Sequence, residues 1–384
     1  MKTLSDICEV YSGYALKEFN DQNDGLPVIK IGNIMTDGTL ALEECQYTSE
    51  VVNEKYYSKK GDIYVALSGA TTGKIGILES DERHVINQRV GVVRRKEDDI
   101  PQQFVKYFLM RQTDRILQEA SGCAQPNISP KQIAQYEVPQ LSKKEMEEIS
   151  NTLDKLSNVI TQRKDELQKL DELIKARFVE LFGDPVTNDK HWDMDTLLGV
   201  LEVGRTVTYG IVQTGDDVDE GIPVFRPIDI AGGHVPKREE LKKTLPEISD
   251  KYKRTLLKGN ELLITVRGSV GETFQVNEEF ECCNVGRNIV PLVTDKKRVN
   301  QRFLQELFAQ KPIKDWLKAI TKGIALQGLN MSEFKEMPVI IPDMGLQEEY
   351  VEFVEQVDKS KVAVQKSLDE TQKLFDSLMQ QYFG

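Results

Sequence analysis

The segment closest to a chemically active motif is Gly69-Ala70-Thr71-Thr72-Gly73-Lys74, which has features of a phosphate-binding loop. A true loop of that kind has one more residue between its glycines, and a Ser or Thr after the lysine that binds Mg²⁺. Here Ile75 follows the lysine, and a second copy at residues 267–272 replaces the lysine with Glu272. We therefore predict tight turns after strands, with glycines that the backbone requires, rather than a nucleotide site.

Histidine and cysteine give no pattern typical of catalysis or metal binding. None of the histidines has the spacing of metal ligands, and no two cysteines form a C-x-x-C pair. The residues are His84, His191 and His234, with Cys8, Cys45, Cys123, Cys282 and Cys283. No G-x-G-x-x-G, G-x-S-x-G or Asn-Pro-Pro-aromatic motif occurs. We predict free thiols, no metal and no cofactor in this chain, and no catalysis by it.

The elements that carry these residues occur twice, about 200 residues apart in the sequence. Gly25–Lys30 matches Gly221–Arg226, Gly73 matches Gly271, and Arg89 matches Arg287. Asn127-Ile128-Ser129 is matched with Asn330-Met331-Ser332, Pro139 with Pro342, and Phe182-Gly183 with Phe383-Gly384. A period this long is typical of a duplicated domain, not of a solenoid. Within each copy, strands are predicted at residues 62–67, 84–93 and 288–293, and an amphipathic helix at residues 104–117.

Each copy ends in a long helix. From Met146 to Leu181 the apolar positions alternate by three and four residues, and only Arg163 and Arg177 interrupt the seam. Ser142-x-x-Glu145 predicts a capping box at the start, and Gly183-Asp184-Pro185 predicts the end. Residues 346–383 repeat the pattern with a weaker cap at Pro342-Asp343. We predict an antiparallel coiled coil of two rods, each about 60 Å long at 1.5 Å per residue.

Charge and hydropathy exclude several classes of protein. The 384 residues have a formal net charge of −12. Residues 1–142 hold 16 basic and 20 acidic groups, and residues 184–344 hold 22 and 25, so neither copy is a basic domain. No apolar run reaches the roughly 18–20 residues that cross a bilayer, and the N-terminus lacks a signal-peptide core. We expect a cytoplasmic protein that does not bind membranes and that has weak affinity for DNA on its own.

The order of these features resembles that of the specificity subunit of type I restriction-modification systems. The resemblance covers the whole chain and rests on the turn Ser68–Gly76, the tail Gln125–Ser129 and the junction Phe182–Pro185 before Trp192. It implies a duplicated mixed α/β (α+β) fold with pseudo-twofold symmetry. The implied segments are recognition domains at 1–142 and 184–344, a central helical spacer at 143–183 and a C-terminal helical spacer at 345–384.

The resemblance also implies the partners. Two modification subunits would bind the helices, restriction subunits would join them, and double-stranded DNA would be the shared substrate. The S-adenosylmethionine, ATP and Mg²⁺ sites would then belong to those subunits, which methylate adenine and cleave DNA. Two different heads on one spacer would read an asymmetric site in two parts, separated by at most about 17 base pairs at ~3.4 Å each.

Polar residues in matched loops are the candidates for reading bases, because arginine pairs with guanine, and asparagine or glutamine with adenine. In the first copy these are Lys30, Asn33, Ser68, Thr71, Lys74, Gln88, Arg89, Gln125 and Asn127. In the second copy they are Arg226, Asp229, Arg267, Ser269, Arg287, Asn288, Gln327 and Asn330.

Other roles remain open for several of these residues. Asn127 and Asn330 could cap turns ahead of predicted strands, and Arg89 and Arg287 could form structural ion pairs. Lys237-Arg238 and Lys296-Lys297-Arg298 could be solvated charges or phosphate contacts. Arg163 and Arg177 could extend from the seam to solvent or contact a partner. For the whole chain, the rival functions are a stand-alone DNA-binding regulator and a coiled-coil scaffold.

Overall fold

The computed structural model describes residues 2–120, 126–205, 207–233, 235–322 and 328–384. It divides into two compact units, which we describe one at a time. Unit 1 comprises Met1–Asp165 and Gln365–Gly384, and unit 2 comprises Glu166–Val364. No helix in the described ranges is long and apolar enough to span a membrane. The division into four segments stays a prediction.

Residues 2–142 of unit 1, here called head 1, contain two small sheets. The strands are β1 (Lys2–Thr3), β2 (Cys8–Ser12), β3 (Leu26–Ile29), β4 (Gln46–Thr48), β5 (Ile63–Ala66), β6 (Ile75–Ile77), β7 (Val85–Ile86), β8 (Val90–Arg95) and β9 (Glu137–Val138). One sheet is antiparallel with the order β2-β8-β5-β6. The other has the order β4-β3-β7, in which β3 and β7 are parallel. The antiparallel pair of β1 and β9 joins the two ends of the head.

Two elements of head 1 differ from the predicted ones. The helices are α1 (Leu4–Ile7), α2 (Gln102–Arg111), α3 (Thr113–Ala120), α4 (Pro130–Ala134) and α5 (Lys143–Phe182), the last of which continues into unit 2. The single helix predicted at residues 104–117 is two helices, because the chain leaves helical geometry at Gln112. The single strand predicted at residues 84–93 is β7 and β8, in different sheets, because residues 87–90 form a hydrogen-bonded turn.

Residues 184–343 of unit 2, here called head 2, repeat this arrangement. The strands are β10 (Asp193–Thr196), β11 (Ile222–Phe225), β12 (Lys242–Thr244), β13 (Leu262–Thr265), β14 (Thr273–Gln275), β15 (Asn284–Val285), β16 (Ile289–Leu292), β17 (Thr321–Lys322), β18 (Gly328–Leu329) and β19 (Pro338–Ile341). The order β14-β13-β16 is antiparallel, and the order β12-β11-β15 has β11 and β15 parallel. β10 pairs with β19, and β17 with β18. The duplicated mixed fold predicted from the sequence is confirmed.

The helices of head 2 are short. They are α6 (Pro227–Ile230), α7 (Pro246–Ser249), α8 (Gln301–Ala309), α9 (Lys311–Ala319) and α10 (Met331–Lys335), and they precede the long helix α11 (Met344–Phe383). Short 3-10 segments occur in head 1 at Ile31–Asn33 and Glu54–Tyr56, and in head 2 at Leu198–Val200, Ala231–Gly233, Arg238–Glu240, Asp250–Thr255 and Glu278–Phe280. The core of head 2 lies mainly between α8, α9 and the sheet centred on β13.

The predicted ends of the first long helix are confirmed. The Ser142 hydroxyl accepts a hydrogen bond from the amide of Glu145 at 3.3 Å, and the Glu145 carboxylate accepts the Ser142 amide at 2.7 Å. These two bonds form the capping box. At the other end, Gly183 has a φ of 73°, a conformation that glycine adopts without strain and that ends the helix.

The two long helices pack together in opposite directions. In unit 2, Arg177 near the end of α5 pairs with Glu349 near the start of α11 at 3.1 Å, and Lys361 pairs with Asp171 at 2.6 Å. In unit 1, the Tyr107 hydroxyl of α2 donates to Asp154 of α5 at 2.7 Å, while its ring lies 5.9 Å from the Phe375 ring of α11. Each unit therefore holds one head against half of each long helix.

Hydrogen bonds common to both heads correct the alignment of the repeat. The amide of Leu67 donates to the carbonyl of Arg89, and the amide of Val266 donates to that of Asn288. Arg89 is therefore equivalent to Asn288, and Gln88 to Arg287, so the match of Arg89 with Arg287 was wrong by one residue. The offset is 198 at Gly73 and Gly271 but 199 at Arg89 and Asn288, so head 2 has one more residue between these two points.

The end of the repeat needs a similar correction. The amide of Ile128 donates to the carbonyl of Leu67, as the amide of Leu329 does to that of Val266. Ser129 is therefore equivalent to Asn330, and the match of Asn127 with Asn330 was wrong by two residues. The same shift applies to the matched prolines, whereas the match of Phe182 with Phe383 holds, since each ends a long helix.

Candidate nucleic-acid interface

In each head, three segments meet at the carboxyl end of the central strand. The amide of Leu67, just after β5, donates to the carbonyl of Arg89 at 3.0 Å, and its own carbonyl accepts from Ile128 at 2.9 Å. Head 2 has the same bonds around Val266, at 2.8 and 2.9 Å. We call this region the three-loop edge: residues 68–74, 87–89 and 126–127 in head 1, and 267–272, 286–288 and 328 in head 2.

The glycine-rich turn of the three-loop edge is a closed turn, as predicted. Gly69 and Gly73 have φ values of 85° and 84°, and Gly268 and Gly271 have 78° and 90°. The amides of residues 69, 72, 73 and 74 all donate to carbonyl oxygens of head 1, at 2.9–3.2 Å. A phosphate-binding loop needs such amides free to face the phosphate. This turn instead positions the side chains beside it.

The three-loop edge brings together many of the predicted base-reading residues. Those with exposed side chains are Gln88, Arg89 and Asn127 in head 1, and Arg267, Ser269 and Arg287 in head 2, while Ser68, Lys74 and Asn288 are half-buried. Among the residues that the structure describes, no carboxylate forms an ion pair with Arg89, Arg267 or Arg287. The described ranges therefore contain no acidic partner for the structural ion pairs considered for Arg89 and Arg287.

Four predicted residues lie away from the three-loop edge and have structural contacts. Asn33 is buried; its amide oxygen accepts from the Lys30 backbone at 2.8 Å, and its amide group donates to Ala41 at 2.9 Å. Asp229 is likewise buried and accepts from the Arg226 backbone at 2.6 Å and from its guanidinium at 2.8 Å. Each pair closes the first turn after β3 or β11, which explains why the pattern recurs in both copies.

The ionisation of two of these residues follows from the same contacts. Burial lowers the pKa of Lys30, whose ammonium lies 3.6 Å from the centre of the Phe19 ring. The hydrogen bonds and charge of Asp229 raise the pKa of Arg226 against the opposing effect of burial. Both cations are therefore held by contacts within their own head.

The remaining predicted residues have other surroundings. Asn330 caps α10, since its side chain accepts from the Ser332 amide at 3.1 Å, so it precedes a helix and not a strand. The Thr71 hydroxyl and the side-chain oxygen of Asn288 are buried without a hydrogen-bond partner in the described part of the protein. Gln125 and Gln327 lie outside the described residues.

Several charged residues with open roles are held by structural contacts. Arg298 pairs with Asp195 at 2.8 Å, and Arg238 donates to the Glu281 carbonyl at 3.0 Å. Arg177 pairs with Glu180 at 2.9 Å as well as with Glu349, and so lies beside the seam of the helices. These contacts favour structural roles for the three arginines. In the described ranges, no group of three or more His, Cys, Asp or Glu residues could hold a metal ion.

Sequence reasoning missed two exposed aromatic residues near the three-loop edge. Tyr14 follows β2, and its amide donates to the Ile86 carbonyl at 2.8 Å. In head 2 the equivalent segment places Tyr209 two residues before Ile211, whose carbonyl accepts from the Arg287 amide at 2.8 Å. The tyrosine side chains are 37% and 40% exposed. Tyr14 is equivalent to Ile211, so Tyr209 lies two residues earlier in its copy of the repeat. Alignment of the two copies therefore did not indicate either tyrosine.

Comparison with known proteins agrees with this architecture. The family model described as the type I restriction modification DNA specificity domain matches residues 1–172 and again residues 190–371. The chain is 25% identical to the EcoBI specificity subunit of Escherichia coli, over 98% of this chain and 83% of that one. It is also 28% identical to the MjaVIII specificity subunit of Methanocaldococcus jannaschii, over 45% of this chain and 42% of the other.

Solved structures show the same fold. The S subunit of a type I restriction-modification system from M. genitalium matches 100% of this chain and 95% of its own, with a TM-score of 0.57 and 17% identity. A chain from a study of complex assembly and conformational transition of the type I system matches with a TM-score of 0.55 and 16% identity. Neither rival function finds support in these matches. The chain thus belongs to the type I restriction-modification DNA specificity family, as a non-catalytic recognition subunit with two recognition domains.

Proposed function

We propose that head 1 and head 2 each read one half of an asymmetric, bipartite DNA site through the three-loop edge. The observation that carries this proposal is that the two edges share a backbone but differ in side chains at equivalent positions. Ser68, Gln88 and Arg89 of head 1 are equivalent to Arg267, Arg287 and Asn288 of head 2. Since arginine suits guanine, and asparagine or glutamine suits adenine, the two halves of the site must differ.

The long helices would hold the two heads apart and bind the modification subunits. Each helix has 40 residues, which corresponds to about 60 Å of rod and a gap of at most about 17 base pairs. Large apolar side chains are exposed on them, including Leu173, Val179 and Val362. Exposed apolar residues on a helix suit a helical partner. Adenine methylation, cleavage and the S-adenosylmethionine, ATP and Mg²⁺ sites would then belong to the partners, with the complex acting in the cytoplasm.

The test is to express the chain with a cognate modification subunit and to map methylated adenines across a genome. We expect one bipartite, asymmetric motif. Exchanging residues 1–142 for the corresponding segment of a relative should change one half of the motif and leave the other unchanged. A motif that stays the same after the exchange, or that changes in both halves, would contradict the proposal.

Replacing Arg287 with glutamine should shift the preference of head 2 from guanine to adenine at one position of its half-site. A bidentate arginine contact gives about 1–3 kcal/mol of discrimination, so the ratio of methylation rates should change roughly 5- to 150-fold. The measurement is the methylation rate on duplexes that vary at each position of both half-sites. Lys296→Gln is the matched control, because Lys296 is an exposed cation of head 2 away from the three-loop edge. An equal change of this ratio in the Lys296 variant would contradict the assignment of Arg287 as a base-reading residue.

A further inference from the structure

Head 2 contains a cationic cleft that residue types and spacing did not predict. The cleft has a volume of about 330 Å³ and lies between residues 207–210, the turn Asp250–Thr255 and α10. Three cations line it: Lys251, Arg254 and Lys335. The described lining residues include no carboxylate, and they include two tyrosines, Tyr209 and Tyr252. Its chemistry is therefore that of an anion site with hydroxyl groups at the wall.

The three cations are free to bind a ligand. Among the described residues, no carboxylate forms an ion pair with any of them. Lys253, in the same turn, makes a useful contrast, because its ammonium pairs with Asp250 at 3.6 Å and it does not line the cleft. An excess of three positive charges in one concave site attracts a phosphate even on a head with more acidic than basic residues.

The cleft is continuous with the three-loop edge. Gly210, in its wall, packs against the backbone of Val285, so closely that a side chain at Gly210 would meet the Val285 carbonyl at 1.8 Å. The next residue, Ile211, accepts a hydrogen bond from the amide of Arg287 at 2.8 Å. On the other side, α10 begins three residues after Gly328 of the edge. A duplex whose bases face Arg267 and Arg287 therefore has its backbone near the cleft.

Two of the three cleft cations have no cationic counterpart in head 1. Ser58 and Leu257 are equivalent, since their amides donate to the carbonyls of His84 and Cys283 in the same way. Counting from them, Lys251 corresponds to Val52 and Arg254 to Lys55. Lys335 of α10 corresponds to Ala134 of α4. One cation therefore stands in head 1 where three stand in head 2, and the Lys55 ammonium lies 4.6 Å from the centre of the Tyr56 ring.

We propose that this cleft binds a backbone phosphate of DNA beside the half-site of head 2, so that head 2 supplies more of the electrostatic affinity than head 1. This inference rests on the proposed function, and it adds an asymmetry that the duplicated fold does not imply. Each phosphate contact steepens the dependence of log K on log salt by about 0.9. The contacts carry no base sequence themselves, but they set the position of the arginines over the bases.

The test compares two triple variants of the full chain in complex with its modification subunits. One removes the cleft cations by Lys251→Ala, Arg254→Ala and Lys335→Ala. The matched control removes three exposed cations of head 2 outside the cleft by Lys253→Ala, Lys258→Ala and Lys311→Ala. The probe is a duplex that carries the mapped site. The measurements are the slope of log K against log salt and the phosphates at which ethylation interferes with binding.

Because the cleft binds one phosphate, we expect the cleft variant to lose about one unit of slope, which is roughly an order of magnitude in affinity at 0.1 M salt. Interference should disappear at phosphates beside the half-site of head 2 and remain beside that of head 1. If the triple variant does not fold, Lys251→Ala alone should still lose more slope than Lys253→Ala.

The outcomes separate the two proposals. A wild-type complex without a bipartite footprint would overturn the proposed function and this inference with it. A normal wild-type footprint, with the same slope in both triple variants, would overturn only the inference. A second result would also overturn the inference: DNA binding is the same in the wild type and the cleft variant, but pyrophosphate raises the melting temperature of the wild type only. The cleft would then be a site for a small anion.

Discussion

Replacing Arg94 with alanine is expected to lower the free energy of unfolding of head 1 by about 3–5 kcal/mol. Arg94 in β8 forms a two-point ion pair with Asp62, with distances of 2.7 Å from Nε to Oδ1 and 2.6 Å from Nη2 to Oδ2. The Asp62 side chain is 1% exposed and that of Arg94 is 12% exposed. Removing the guanidinium would leave a buried carboxylate without its counter-charge, and this accounts for the size of the loss.

The surroundings of the pair strengthen this expectation. Burial alone would lower the pKa of Arg94, yet the hydrogen bonds and charge of Asp62 raise it above the ordinary value. Burial and the nearby Asp62 carboxylate also raise the pKa of Tyr64 well above its usual range. The guanidinium further donates to the Tyr57 carbonyl at 2.9 Å. Arg94 therefore joins β8 to the segment that precedes β5.

Hydrogen exchange of β5 and β8 is the suitable measurement, because the two units need not unfold together. Arg205→Ala in head 2 is the matched control. Arg205 makes one contact of 3.5 Å with the buried Glu261, which also accepts the amides of Lys258 and Asn260 at 3.0 and 3.1 Å. Within the described part of the chain, Asp62 accepts only one amide, that of Lys59, at 2.8 Å, and depends more on its two-point pair with Arg94. Its loss should be smaller, about 1 kcal/mol. Asp62→Asn in the Arg94→Ala background should restore part of the stability, and failure to do so would contradict the buried-charge explanation.

This buried pair marks a limit of sequence reasoning. Asp62 and Glu261 each stand just before the central strand of their head, β5 or β13, and both are buried. Their cations come from different places, Arg94 from β8 and Arg205 from the segment before β11. A pattern of residue types cannot reveal a partner that each head takes from a different segment. The glycine turns, by contrast, were predictable, because a positive φ is a local requirement.

The candidate site shows the same division between local and long-range features. Lys30 with Asn33 and Arg226 with Asp229 recur because each pair caps a turn three residues long, and the sequence cannot separate that cause from base reading. The cleft cations were missed since Lys251 and Lys335 are far apart in the sequence and meet only in the folded head. The one-residue shift at Gln88 and Arg287 also needed the hydrogen bonds of the folded sheet.

The long helices were predicted well until their last two turns. Their caps and heptads are local, but the buried row near the end of α5 is Ile174, Phe178 and Phe182, whereas the predicted seam passed through Arg177 and Leu181. The spacing of four residues arises because this part of α5 packs against α8 of head 2 as well as against α11. Phe375, Met379 and Phe383 form the same row in α11 within unit 1.

Phe178→Ala should destabilise unit 2 by about 3–5 kcal/mol and abolish recognition of the half-site of head 2. Phe178 is fully buried, and its ring lies 5.7 Å from that of Phe303 in α8, nearly parallel at 17°. It also lies 5.0 Å from the Phe182 ring and 5.6 Å from that of Tyr350 in α11. Aromatic pairs add about 0.5–1.5 kcal/mol each beyond burial, so the ring holds head 2 to both long helices.

The neighbouring residue supplies the control. Val179 is 55% exposed on the same turn of α5, so Val179→Ala should change stability by less than about 0.5 kcal/mol. Hydrogen exchange should show faster exchange of β13 and β16 in the Phe178 variant, with β5 and β8 unchanged, because the latter lie in the other compact unit. Methylation of the bipartite site should fall, with footprints retained at the half-site of head 1. Equal destabilisation of both units would contradict the role of Phe178 in joining head 2 to the helices.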